Sequence, residues 1–134
     1  MQAYALVSIV SLLALLSYVW MGTRVGAARA KSGISAPAMT GEEGLERAIR
    51  IHLNALEWLP IFLVSLWLFA LWWSDAAAAA IGAVWILGRV VYALAYAADP
   101  AKRGLGFLIQ ALAAGVLLFG ALGRILWTLA TGAA

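Results

Sequence analysis

Residues 104–130 read GLGFLIQALAAGVLLFGALGRILWTLA, with Arg124 as the only charge in the run. As an α-helix at 1.5 Å per residue it reaches roughly 40 Å, more than the ~30 Å hydrocarbon thickness of a bilayer. A stretch this long and this apolar reads as a membrane span, because in lipid a helix satisfies its backbone hydrogen bonds internally. Three more stretches of the same kind lie upstream: residues 1–23 and 58–74 carry no charge, and residues 76–98 carry only Arg89. The 134-residue chain is 66% hydrophobic and 11% charged, with a mean hydropathy of +0.98, against about 25% charge in an ordinary soluble domain. A water-soluble fold is excluded. The predicted architecture is all-α, an integral membrane bundle of four transmembrane helices in a single domain over residues 1–134.

Breakers and caps set the predicted limits of the spans. Span one covers about residues 2–24; it lacks the basic start, short apolar core and small-residue cleavage site of a signal peptide, and is read as retained. A loop with Gly33, Ser35, Pro37 and Gly41 follows. Glu42, Glu43 and Glu46 then mark a helix start, where acidic side chains suit the positive end of the helix dipole. Span two runs over about 45–73 with Pro60 inside it, and span three over about 76–98 after the Ser74-Asp75 turn. Asp99-Pro100 stops span three, since proline pushes the residue before it out of helical geometry, and span four covers about 103–130.

The net charge of +3 comes from nine Lys and Arg against six Asp and Glu. These cations sit at span ends and inside spans, a membrane topology and not a nucleic-acid patch. Arg24, Arg29, Lys31 and Arg47 flank the first loop, and Lys102 and Arg103 the third. The positive-inside rule makes both loops cytoplasmic and puts the termini on the opposite side. With no cysteine there is no disulfide, no thiolate metal site and no protein thiol nucleophile, so any sulfur chemistry must come from a ligand. No metal site is expected either, since His52 is the only histidine and one imidazole without acidic or cysteine partners holds none.

Charge at bilayer depth is costly and tends to face a bundle interior or a ligand. At about 100° per residue, Arg50, Asn54 and Glu57 fall at about 0°, 40° and −20°, one polar stripe on span two, with Arg47 about 60° from it and His52 about 160° away. On span three, Arg89, Tyr92 and Tyr96 fall at about 0°, −60° and −20°, a second stripe running toward Arg103. An internal Arg50–Glu57 ion pair with interfacial tyrosines is one account of this pattern. The other is a zwitterionic ligand: guanidiniums for its carboxylates, Glu57 for an ammonium, Asn54 and the tyrosines for amides or a thiolate. Arg124, near the end of span four, snorkels to the interface and receives no role.

The run Glu46-Arg47-Ala48-Ile49-Arg50-Ile51-His52-Leu53-Asn54-Ala55-Leu56-Glu57-Trp58-Leu59-Pro60 resembles the second-helix signature of the MAPEG superfamily, the membrane-associated proteins in eicosanoid and glutathione metabolism. Arg89-Val90-Val91-Tyr92-Ala93-Leu94-Ala95-Tyr96, with Arg103 seven residues on, is similar to the third- and fourth-helix pattern of the leukotriene C synthase and microsomal glutathione transferase branch. The resemblance implies a homotrimer of four-helix subunits in a multi-pass setting, here a bacterial inner membrane, with glutathione as co-substrate between subunits and a lipophilic electrophile arriving from the lipid. It implies that Arg50, Asn54, Glu57, Tyr92 and Tyr96 hold the tripeptide, with His52 and Arg29 as further contacts, and that Arg103 stabilises the thiolate. Leu53 stands where the prostaglandin E synthase branch has arginine, and Trp58 where the leukotriene C synthase branch has tyrosine.

The function this implies is membrane-bound glutathione transfer to lipophilic electrophiles, with peroxidase activity as a possible accompaniment. Two alternatives stand beside it: a non-catalytic lipid-binding protein of the same superfamily, and a small proton-coupled exporter. The exporter would want a carboxylate in span one, which has none. Small-residue runs at Ala76–Ala80 and Ala111–Gly115 permit close helix approach.

Overall fold

A computed structural model describes residues 2–132; Met1, Ala133 and Ala134, at the ends of the expected 1–134 domain, lie outside the described residues. Four long helices follow one another: α1 (Ala5–Ser32), α2 (Glu43–Trp72), α3 (Asp75–Ala98) and α4 (Gly104–Thr131), with a 3-10 turn, Pro100–Lys102, before α4. All four are long and apolar enough to cross a membrane.

The largest departure from the sequence reading is at the end of α1. The helix does not stop at Arg24 but continues to Ser32. Loss of apolarity ended the expected span, whereas helicity persists because Ala27, Ala28, Arg29, Ala30 and Lys31 are strong helix formers and the two cations favour the C-terminal dipole. Gly33 ends it in the left-handed conformation at φ 75°, its N–H donating to the Arg29 carbonyl. At 28 residues α1 is roughly 42 Å long, so its basic last turns project from the hydrocarbon together with the first turns of α2.

The caps tie elements together. The Glu42 carboxylate accepts from the Gly44 and Leu45 N–H groups, which together hold its pKa below the usual carboxylate value. Ser74 Oγ caps α3 by accepting from Ala77 N–H. Asp75 instead reaches across to α1, where its two oxygens accept from Leu6 N–H at 3.1 Å and Val7 N–H at 2.8 Å. A carboxylate on one helix thus satisfies the open donors at the start of another.

Side chains from all four helices fill the core, with Val7, Phe62, Leu66, Trp85 and Leu117 fully or almost fully buried, and Phe62 stacked on Trp85 at 3.9 Å. Ala78, Ala79, Ala113 and Ala114 are also buried and pack between the chain's own helices, while Ala76, Ala77 and Ala80 of the same runs stay exposed. The tightest crossing is α3 on α4. A Cβ added to Gly106 would lie 2.3 Å from the Tyr92 backbone nitrogen, and one added to Gly88 would lie 2.7 Å from that of Gln110. At the opposite end Trp73 donates from Nε1 to the Gly120 carbonyl, and the Arg124 guanidinium lies 4.9 Å from the Trp73 ring centroid.

Candidate functional site

The end of the bundle that carries the basic loops holds a cleft of ≈ 370 Å³ lined by Arg50, Asn54, Tyr92, Tyr96, Arg103, Gly104 and Phe107. That volume is in the range of small-molecule sites, about 300–1,000 Å³. Helical spacing brings these residues together: Arg50 and Asn54 are one turn apart on α2, and so are Tyr92 and Tyr96 on α3, whose rings lie 5.6 Å apart. The Gly88 and Gly106 crossing draws α4 against α3, so Arg103 and Phe107 meet the tyrosines.

Each wall has its own support. Arg103 Nη1 donates to the Pro100 carbonyl at 2.7 Å, and its Cζ lies 5.8 Å from the Tyr96 ring centroid. That tether uses one guanidinium nitrogen and leaves the remaining donors for a ligand. Gly104 opens α4 beside it, adding the positive end of that helix to the same wall. Tyr92 is 5% exposed and packs against Phe107 at 6.4 Å, while Phe107 meets the Trp58 edge at 5.7 Å. Arg47, outside the cleft, pairs with Glu43 and donates to the carbonyls of Ala97 and Ala98. It thereby fastens the start of α2 to the end of α3.

Five of the eight residues singled out in the sequence, Arg50, Asn54, Tyr92, Tyr96 and Arg103, line this one cleft. The other three do not. Glu57 is exposed midway along α2 and makes no hydrogen bond or ion pair among the described residues; in particular no ion pair joins it to Arg50. His52 faces α1, stacked on Tyr18 at 4.4 Å and against Gly22. Arg29 closes the loop after α1 by donating from Nη1 to the carbonyls of Ile34 and Ala38. The sequence reading named no role for Gly104, Phe107 or Gln110. Gln110, fully buried in α4, was detectable as the one amide in an apolar span.

The lining has two guanidiniums, two phenols and one amide, with no carboxylate among them. Such a surface binds anions and carbonyl oxygens and stabilises negative charge on an atom held near Arg103. A four-helix membrane bundle with a cleft of guanidiniums, phenols and an amide at its basic end is the class this geometry defines. Residues 7–123 match the family model described as MAPEG family, and the chain belongs to that family. It is 44% identical over 122 residues to an uncharacterised protein of Synechocystis sp., covering 91% of this chain and 89% of that one. Microsomal glutathione S-transferase 2 of Homo sapiens is 34% identical over 119 residues, 88% of this chain and 81% of that protein. Leukotriene C4 synthase of Bos taurus is 33% identical over 99 residues, 74% and 66% of the two chains.

Proposed function

We propose that the protein is a membrane-bound glutathione transferase that joins the glutathione thiolate to lipophilic electrophiles. The observation that carries the reading is the cleft in which Arg50, Asn54, Tyr92, Tyr96 and Arg103 converge with no opposing carboxylate. Glutathione presents two carboxylates, two amide carbonyls and a thiol, for which the cleft offers donors, and one ammonium, for which the lining holds no carboxylate. A free thiol has a pKa near 8.5, and an adjacent cation lowers it, raising the thiolate fraction at neutral pH. Arg103 fills that role as a fixed charge; a guanidinium stays protonated and does not act as a base, so the thiol proton leaves to water. The thiolate sulfur then forms a bond to the electrophilic carbon, and the leaving group departs with its electron pair. Phe107, packed T-shaped against Trp58 behind it, makes the apolar side of the cleft, toward which a lipophilic substrate partitions from the bilayer.

Binding is the first test. At 100 times its dissociation constant, glutathione adds about 2.7 kcal/mol to the stability of the detergent-purified protein, read as a rise in melting temperature. A melt unmoved by millimolar glutathione would sink the reading.

The assembly we propose is a homotrimer, with the basic loops on the cytoplasmic side of a bacterial inner membrane by the positive-inside rule. Support comes from Glu57, an exposed carboxylate midway along a membrane-spanning helix. Leaving such a charge in lipid costs a few kcal/mol or more, and a neighbouring subunit over that face removes the cost. Native mass spectrometry should report three chains; a monomer or dimer would remove the shared-site arrangement.

A further inference from the structure

Arg89 takes no part in the function proposed above, yet among the described residues it is a fully buried charge, 0% exposed between the helices. Its Nη1 donates to Asn54 Oδ1 at 2.7 Å, and its Cζ lies 4.6 Å from the Tyr92 ring centroid. The remaining guanidinium nitrogens, Nε and Nη2, have no partner, and neither do the Gln110 amide and Trp85 Nε1, which are buried as well. No carboxylate pairs with it among the described residues. A cation held this way is costly for stability, so its effect on the cleft is the place to seek its use.

The chemistry of the guanidinium settles the orientation of Asn54. Arginine offers donors only, so the Asn54 atom that faces it is the amide oxygen, and the NH2 group is turned away. Asn54 Nδ2 bonds to nothing else among the described residues and is not among the buried orphan polar atoms, while Asn54 lines the cleft. The NH2 group is therefore open to the cleft. The Tyr92 hydroxyl is likewise neither bonded nor a buried orphan, and its ring rests on the same guanidinium.

We infer that Arg89 is a positioning residue that holds the Asn54 oxygen from behind and so presents only the NH2 donors of Asn54 to the cleft, which selects a ligand with a carboxylate or carbonyl oxygen at Asn54 and rejects one with an N–H there. This rests on the glutathione reading, since the oxygen received at Asn54 is one of the tripeptide's own. Without Arg89 the amide turns freely, and either end can face the ligand.

Asn54 is the only asparagine in the chain, so selective ¹⁵N-asparagine labelling gives one side-chain NH2 pair in the spectrum of the detergent-purified protein. Glutathione should shift that pair in the wild type. Arg89→Gln should move it without ligand and raise the glutathione dissociation constant at least tenfold, Arg89→Lys should restore part of the affinity, and adding Arg89→Gln to Asn54→Ala should weaken binding less than twofold further. Asn54→Asp keeps an acceptor for Arg89 but has no donor; it should melt no lower than wild type without ligand and bind glutathione at least tenfold more weakly. Multiplying losses in the double variant, a ligand-free pair unmoved by Arg89→Gln, or wild-type affinity in Asn54→Asp would each overturn the lock. If Arg89→Gln does not fold, Asn54→Asp and the glutathione shift of the wild-type pair decide. Absence of glutathione binding to the wild type, with the ligand-free pair still moved by Arg89→Gln, would overturn the glutathione reading and leave the lock standing.

Discussion

Arg103→Ala is expected to lower turnover at saturating glutathione by about two to three orders of magnitude, the scale of removing one preorganised electrostatic donor from an active site. The side chain is held in place by the Pro100 carbonyl and the Tyr96 ring, so little ordering remains to be done when a thiolate forms. The same substitution should abolish the ultraviolet thiolate band of bound glutathione at neutral pH. The sign of the pH effect follows: a cation beside the thiol lowers its pKa, so without it the thiolate fraction at pH 7 falls while that well above the free-thiol value near 8.5 does not. Rate loss should therefore be greatest near neutrality and shrink as pH rises. Affinity should fall less than turnover, because Arg50, Asn54, Tyr92 and Tyr96 still hold the tripeptide. Steady-state kinetics with a reactive aryl halide across that pH range tests the division. Equal turnover by variant and wild type would transfer thiol activation to Arg50 or Tyr96.

The helices were legible because lipid leaves a long apolar run one way to satisfy its backbone. The first helix shows the limit of that logic: apolarity marks where lipid ends, not where helix ends, and the less apolar chain from Val25 to Ser32 stays helical until Gly33. The cleft was legible in part for a similar reason. Spacing on a wheel puts Arg50 with Asn54 and Tyr92 with Tyr96, and both pairs line the site. A wheel treats each helix alone, however. It placed Glu57 on the Arg50 face without showing that nothing else in the chain covers it, and it placed Arg89 on the Tyr92 stripe without showing that Asn54 of another helix accepts its hydrogen bond. Arg29 lay beyond the method altogether, since its partners are carbonyls of an irregular loop.

Gly106→Ala is expected to cost about 3 kcal/mol or more, at or above the upper end of the range for overpacked interiors. The added methyl would meet backbone: Tyr92 N at 2.3 Å, Tyr92 Cα at 2.6 Å and the Gly88 carbonyl oxygen at 2.9 Å. A flexible side chain in that place would rotate aside; a facing helix has to move as a body. Within a bilayer the attraction between helices is largely this close packing, because lipid is as apolar as the side chains it replaces. Separation of α3 from α4 would also carry Tyr92 away from Phe107 and Arg103, so glutathione affinity should fall together with the melting temperature. Gly123→Ala is the matched control: it lies in the same helix, nothing stands within 4 Å of its added Cβ, and relief of glycine's conformational freedom should stabilise it by about 0.5–1 kcal/mol. Thermal unfolding of both variants in one detergent separates the effect of contact from that of helix propensity. Equal melting temperatures would mean that the α3–α4 crossing has room the packed glycines do not suggest, and that the tyrosine wall of the cleft is held by something other than α4.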